Sequence, residues 1–442
     1  MFEKFFKLKE NNTNVRTELD AALATFMTMA YIIFVNPLIL ADAGMDKAAV
    51  TAATCIAAAV ATLVMGFLAN YPIALAPGMG LNAYFAYTAV PYIAKRLTSM
   101  GIADKHTPWQ IALAAVFVSG VVFLILTILK IRKKIVNGIP NVIKHGTAVG
   151  IGLFIAFIGL KSAGIVVSNQ ATFVTLGKFS KPETILAVVG LLITSLLLIK
   201  QIKGAILWGI ISTTILGIIT GMVDLPSQIF SMPQMSATAF KMDFAGLLKV
   251  GILDIIFVFL FVDMFDTIGT LIGIGEQGGF MKNGKLPRVS RALTADAVGT
   301  IAGSFTGTST VTSYIESAAG VAEGGKTGLT SVFVGFFFIL ALFLTPIVAI
   351  IPAFATAPAL ILVGIFMAKN ILKIDWEDFS ESIPGFLTVI AIPLTYSIAN
   401  GLAIGFILYP LMKIFKGEAK KVSILVYILA ILFIARFIFL TI

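Results

Sequence analysis

Stretch after stretch of this chain stays apolar for long enough to cross the roughly 30 Å of hydrocarbon in a bilayer. Twelve such segments lie near residues 20–40, 48–69, 110–130, 139–161, 183–200, 203–222, 246–272, 290–305, 328–350, 355–371, 383–399 and 400–416. Two more, 72–93 and 306–322, are apolar but interrupted by Pro, Gly, Ser and Thr, which brings the expected number of spans to fourteen. A last apolar run, 422–442, contains Arg436 and reads as a fifteenth span or as a helix at the interface. Only 12% of the 442 residues are charged, about half of what a water-facing surface needs. An ordinary soluble enzyme and a disordered chain are both excluded, and the fold class is an all-α polytopic membrane protein.

Charge placement orients the spans. Lys130, Arg132, Lys133, Lys134, then Lys200 and Lys203, then Lys282, Lys285, Arg288 and Arg291 follow even-numbered spans, as do Lys369, Lys373, Lys413, Lys416, Lys420 and Lys421. Cytoplasmic connections are the basic ones, so the N-terminus is expected inside the cell and the protein in the cell membrane. Lys95, Arg96 and Lys105 fall outside, against the rule. The net charge of +10 therefore reflects topology, with no nucleic-acid partner. The polar stretch from Met1 to Asp20 has no signal-peptide pattern. One cysteine, Cys55, excludes an intrachain disulfide, and two histidines, His106 and His145, argue against a His/Cys metal site.

Weak self-similarity links the two parts of the chain. Ala115-Val-Phe-Val-Ser-Gly resembles Ser331-Val-Phe-Val-Gly-Phe, Ile139-Pro140 resembles Ile351-Pro352, and Lys203-Gly204 resembles Asn400-Gly401. Two halves of seven spans each must be inverted with respect to one another, an architecture of secondary transporters. The interrupted segments are third and tenth in order, equivalent places in the two halves. One holds Ala76-Pro-Gly-Met-Gly-Leu-Asn82-Ala-Tyr84-Phe85, the other Gly307-Thr-Ser-Thr-Val-Thr312-Ser313-Tyr-Ile-Glu316. Non-helical backbone survives at membrane depth only where it lines a cavity or is buried in protein. Each is expected to be an extended stretch followed by a short helix.

Carboxylates inside a span are the second signal. The segment 254–270 carries Asp254, Asp263 and Asp266 beside the run Ile-Ile-Phe-Val-Phe-Leu-Phe-Val. A charged Asp at a helix centre costs about 2.5–3.5 kcal/mol on insertion scales, so such residues mark function. Asp263 and Asp266 are about 300° apart around a helix and share a face, and Glu316 is placed to meet them. Several carboxylates in a low dielectric with no resident cation cannot all stay ionised, and one that takes a proton on one side and releases it on the other couples a proton gradient to a solute. Asn82 offers a donor and an acceptor, and a carboxylate can pair two adjacent N–H groups. Together they suit a flat, neutral heterocycle; Tyr84, Phe85 and Phe265 offer stacking faces, although single aromatics in a membrane helix more often pack or face lipid. Asp296 is expected to pack against polar neighbours. The run Gly320-Val-Ala-Glu-Gly-Gly-Lys326-Thr327 fits a phosphate-binding loop, but it joins two membrane segments instead of following a strand. ATP is therefore not expected as a partner, and Lys326 is expected to anchor a helix start.

At these residues the chain resembles the AzgA-like adenine/guanine/hypoxanthine permeases, distant relatives of uracil and xanthine permeases. The motifs are Ala76–Phe85, Phe261-Val-Asp-Met-Phe-Asp266-Thr-Ile-Gly-Thr and Gly307–Gly320, and the likeness runs from Thr17 to about Lys416. It implies a 7+7 inverted repeat split into core and gate domains. The core would comprise 20–134 and 246–351, and the gate 135–222 and 352–416. Residues 1–19 would form a cytoplasmic segment, 223–245 an extracytoplasmic loop and 417–442 a C-terminal apolar segment. It also implies purine uptake by proton symport, with sodium the alternative coupling ion and no cofactor. Asn82, Asp263, Asp266 and Glu316 would form or control the site, with Thr312 and Ser313 beside them. Asp266 matches a glutamate that contacts the base in the uracil and xanthine relatives. Asp263, Asp266 and Glu316 are the proton-coupling candidates. Homodimers occur among related folds. The rival readings are an anion transporter on the same fold, a purine-binding membrane sensor and a membrane-embedded enzyme. The acidic pocket weighs against the first, and the absence of any nucleophile–base arrangement weighs against the last.

Overall fold

The computed structural model describes residues 2–129, 138–226, 228–282 and 286–439. Lys130, Arg132, Lys133, Lys134 and Lys285, used above to orient the chain, lie outside the described residues. The first expected span is two helices, α1 (Val15–Met29) and α2 (Ile32–Ala41). Pro37 lies inside α2; it has no N–H for the Ile33 carbonyl and its ring crowds that carbonyl, while Ala30 and Tyr31 at the joint keep helical backbone angles. Next comes α3 (Lys47–Val64), whose start is capped by Asp46 accepting from the Ala49 N–H at 2.8 Å.

A π-helical turn, Met65–Ala69, and a left-handed Asn70 (φ 51°) end that helix and lead into β1 (Leu75–Pro77). The short helix α4 (Met79–Tyr84) follows and runs on through a second π turn into α5 (Val90–Ser99). Then come α6 (Pro108–Ile128), α7 (Asn141–Ser162), the hairpin β2 (Val166–Asn169) and β3 (Phe173–Leu176), α8 (Pro182–Ile199) and α9 (Ala205–Ile219). The expected span 246–272 is broken. Gly251 (φ 64°) separates α10 (Phe244–Val250) from the long α11 (Leu253–Gln277). After α12 (Val289–Thr306) the chain forms β4 (Val311–Ser313) and α13 (Ser317–Ala322). It ends with α14 (Gly328–Ala341), α15 (Thr345–Ile350), α16 (Ala353–Ala368), α17 (Phe379–Leu394), α18 (Ile398–Phe415) and α19 (Ile424–Phe439). Among the described residues nine helical stretches are long and apolar enough to cross a membrane, and α9, α17 and the final helix are shorter apolar helices.

Two compact units emerge: Met1–Ile128 with Leu160–Ala359, and Leu129–Gly159 with Leu360–Ile442. In the first, α3 is central and packs on α2, α12 and α14. Its alanines make this possible, because small residues let helix backbones approach closely where lipid supplies no hydrophobic drive. Ala57 and Ala61 share a core cluster with Leu271, Ile274, Ala295 and Val311. The approach is tightest at Gly66, where a Cβ would lie 2.6 Å from the Gly328 carbonyl oxygen. In the second unit, α17 and α18 pair and α19 packs on α18. Arg436 turns toward protein and donates to Asn400 Oδ1 at 3.2 Å. Leu192, Ile199, Ile219 and Leu432 remain exposed, which suits surfaces that meet acyl chains.

Candidate functional site

The first unit holds both interrupted segments, and they take the expected form: a three-residue strand, then a helix. β1 and β4 pair antiparallel, with Leu75 opposite Ser313, Ala76 opposite Thr312 and Pro77 opposite Val311. Two strands at membrane depth leave their outer edges without partners, and each unsatisfied backbone group there costs several kcal/mol. Threonines from the preceding helices fill this need in matching ways. Thr62 in α3 accepts from the Leu75 N–H at 2.9 Å and donates to its carbonyl at 3.0 Å. Thr300 in α12 does the same for Val311, both at 3.1 Å. Further bonds lock the crossing: Gly78 N–H to Thr310 O at 2.9 Å, Tyr314 N–H to Ala74 O at 2.9 Å, and Tyr314 O–H to Pro77 O at 2.6 Å.

Around this crossing the predicted residues separate into two groups. Asp266, on α11, is exposed, and Glu316, at the start of α13, is half-buried. The Thr312 side chain hydrogen-bonds the Asp266 carboxylate. Asp266, Glu316, Tyr31 and Tyr314 lie within electrostatic reach of one another. These two carboxylates face an opening. Asp263, 2% exposed, Ser313, 3%, and Asn82, 0%, belong instead to the wall behind it. Asn82 accepts from the Ser309 hydroxyl, and its amide nitrogen donates to Pro77 O at 3.5 Å. The shared face expected for Asp263 and Asp266 is therefore split: 60° of rotation is enough to turn one inward and leave the other open.

Two of the three aromatic candidates take the packing role. Tyr84 and Phe85 are buried and pack on Phe259, with ring centroids 4.9 and 6.3 Å away. Phe265 is half-buried, set edge-on to Phe261 at 4.3 Å.

Sequence reasoning missed Tyr31 and the supports behind β4. The Tyr31 hydroxyl donates to Glu316 Oε1 at 2.7 Å. An isolated Tyr in an apolar span looks like packing, and nothing local marks its partner 285 residues away. Asp296, fully buried, accepts from Thr267 at 2.7 Å, and Thr267 accepts from the Ser313 N–H at 3.4 Å. Thr267 thus ties the buried acid to the strand. The polar neighbours expected for Asp296 are there.

The phosphate-loop pattern also finds its explanation. Glu18, fully buried in α1, accepts from the backbone N–H groups of Lys326, Thr327 and Thr330 at 3.1–3.3 Å and from the Thr330 hydroxyl at 2.6 Å. The donors that would cradle a phosphate at a helix N-terminus are held by the protein's own carboxylate. Lys326 does anchor this helix start, its ammonium reaching the Asn12 carbonyl at 3.4 Å.

The Permease family model (Xan_ur_permease) matches residues 16–404. Adenine permease AdeP of Escherichia coli is 42% identical over 440 residues, covering 99% of this chain and 96% of that protein. Guanine/hypoxanthine permease PbuO of Bacillus subtilis is 43% identical over 435 residues, covering 97% and 98%. Among solved structures, the transmembrane domain of the cyanobacterial bicarbonate transporter BicA superposes with a TM-score of 0.65 at 16% identity, covering 88% of this chain and 97% of that one; the likeness is one of fold. The resemblance read from the three motifs is borne out, and the chain belongs to the Permease family as a multi-pass membrane transporter and not an enzyme.

Proposed function

We propose that this protein imports purine nucleobases (hypoxanthine, guanine or adenine) by proton symport across the cell membrane. The observation that carries the reading is the pair of carboxylates, Asp266 and Glu316, open beside the strand crossing in a chain aligned end to end with permeases named for adenine and for guanine and hypoxanthine. Carboxylates accept the N–H groups of a neutral base without needing a charged partner. Asp266 and Glu316 contact the base, with Thr312 fixing the first. Asn82 and Ser313 hold the crossing in shape, and buried Asp263 carries the coupled proton.

The matched bonds of Thr62 and Thr300 to their strands support two inverted halves, in a proposed architecture of fourteen spans with core and gate parts that move against each other, and the basic connections after even-numbered spans support a cytoplasmic N-terminus. The bicarbonate transporter's fold keeps an anion carrier as the second reading, but two open acids repel an anion.

Uptake of radiolabelled hypoxanthine, guanine and adenine into cells lacking their own purine permeases, with and without a proton uncoupler, tests the proposal. Saturable, uncoupler-sensitive accumulation is expected. Base binding without uptake would make the protein a sensor, and uptake insensitive to the uncoupler but dependent on sodium would replace the coupling ion.

A further inference from the structure

Glu316 is held from the first span by the Tyr31 hydroxyl, which donates to its Oε1 at 2.7 Å. The Thr28 hydroxyl, whose single proton has Thr25 O at 2.8 Å and Ala24 O at 3.0 Å within its own helix, lies 3.3 Å from the Glu316 backbone carbonyl. The contact is built, not incidental. Tyr31 is 1% exposed and sits at the joint between α1 and α2 with helical backbone angles (φ −55°, ψ −24°), its side chain enclosed by neighbouring segments. α13 lies hard against α1, where a Cβ on Gly320 would collide with the Thr25 hydroxyl and lie 2.5 Å from the Ala21 carbonyl. Both ends of the hydrogen bond are thus fixed by packing.

A carboxylate with two available oxygens forms parallel bonds with two adjacent N–H groups. In Glu316 the Tyr31 phenol takes one of the two lone-pair directions of Oε1, so the fork is lopsided and Oε2 is its less committed acceptor. We infer that Tyr31 is a positioning and specificity-determining residue: by sharing Oε1 it weakens that oxygen toward a second donor and makes Oε2 the principal acceptor that Glu316 offers a bound base. The inference rests on the purine reading and deepens it. The consequence is chemical. Guanine carries N1–H and a 2-amino N–H side by side on one edge, whereas hypoxanthine carries N1–H alone. A fork would favour guanine; a single acceptor treats the two alike. The site is therefore built to accept 6-oxopurines with or without the 2-amino group.

The test is equilibrium binding of radiolabelled guanine and hypoxanthine to the purified, full-length protein and to Tyr31→Phe, which removes one oxygen and little volume. In the parent the two affinities are expected to agree within about threefold. In Tyr31→Phe the freed oxygen is expected to favour guanine over hypoxanthine by about tenfold, the effect of one added charge-assisted hydrogen bond. A guanine-to-hypoxanthine ratio unchanged by the substitution, including an equal loss for both bases, would reduce Tyr31 to packing and overturn the inference while leaving the purine reading intact. If Tyr31→Phe does not fold, the parent decides: a tenfold preference for guanine with Tyr31 in place overturns it. A parent that binds neither base overturns the purine reading and this inference together.

Discussion

The proposed mechanism gives Glu316 and Asp263 different tasks because they sit in different surroundings. Glu316 opens toward the site with one oxygen held by Tyr31, so Glu316→Gln removes a charged acceptor at the point of contact. Base affinity is expected to fall about 10- to 100-fold, the range for a hydrogen bond to a charged group; equal affinity in a binding assay would mean that the segment 306–322 does not line the site. Asp263 is buried behind the opening, so Asp263→Asn leaves the contact surface intact while removing a titrating group. Accumulation against a gradient is expected to disappear while base-for-base exchange across proteoliposomes persists. Normal uphill uptake in that variant would take Asp263 out of the coupling role. The acids themselves were legible in the sequence, since a carboxylate in an apolar run is conspicuous. Their division into open and buried members was not, because a rotation of 60° has no sequence signature.

The crossing strands and helix starts show why local pattern reaches some elements and not others. The extended segments around Pro77 and Thr312 were readable from their Pro, Gly, Ser and Thr content, residues that weaken a helix on any background. Their mutual register was not, because it depends on Thr62 and Thr300, which lie 13 and 11 residues upstream in other helices. Glu18 makes the same point at α14. Glu18→Ala would orphan the Lys326, Thr327 and Thr330 N–H groups together, and a loss of about 2–4 kcal/mol is expected from unsatisfied buried donors. Thermal unfolding in detergent should show a lower midpoint for Glu18→Ala than for Glu18→Gln, which keeps an acceptor. Added ATP should not move the midpoint of the parent.

At the scale of the whole molecule, acids and lysines of the second unit join the start of α17 to the end of α18 and the segment after it. Asp378 receives the Lys416 ammonium at 2.7 Å, and Lys413, nearly buried, meets Glu381 at 2.7 Å and lies 3.7 Å from Glu418. The Lys416 hydrogen bond holds the Asp378 carboxyl well below its ordinary range, with Ser380 helping, and Lys421 lowers Glu418. Carboxylates depressed in the folded state add stability that is fully present above their unfolded pKa of about 4 and is lost as pH falls through the folded value. The part of the thermal midpoint that this cluster supplies is therefore expected to be complete above about pH 5 and to be lost below about pH 4. Asp378→Asn should flatten that acid limb, and an unaltered limb would show that the cluster carries no such linkage.

The sequence by itself determined the membrane solvent, the run of spans, the two broken segments and the acids among them, because apolar length, helix-breaking residues and the cost of burying charge are local properties of a chain. Tertiary structure alone decided which acid faces the opening, that Glu18 occupies the phosphate-like nest, and that Tyr31 reaches Glu316 across 285 residues. Those outcomes depend on helix rotation and on side chains meeting from distant segments, and a hydrogen bond between distant residues leaves no periodicity in either one.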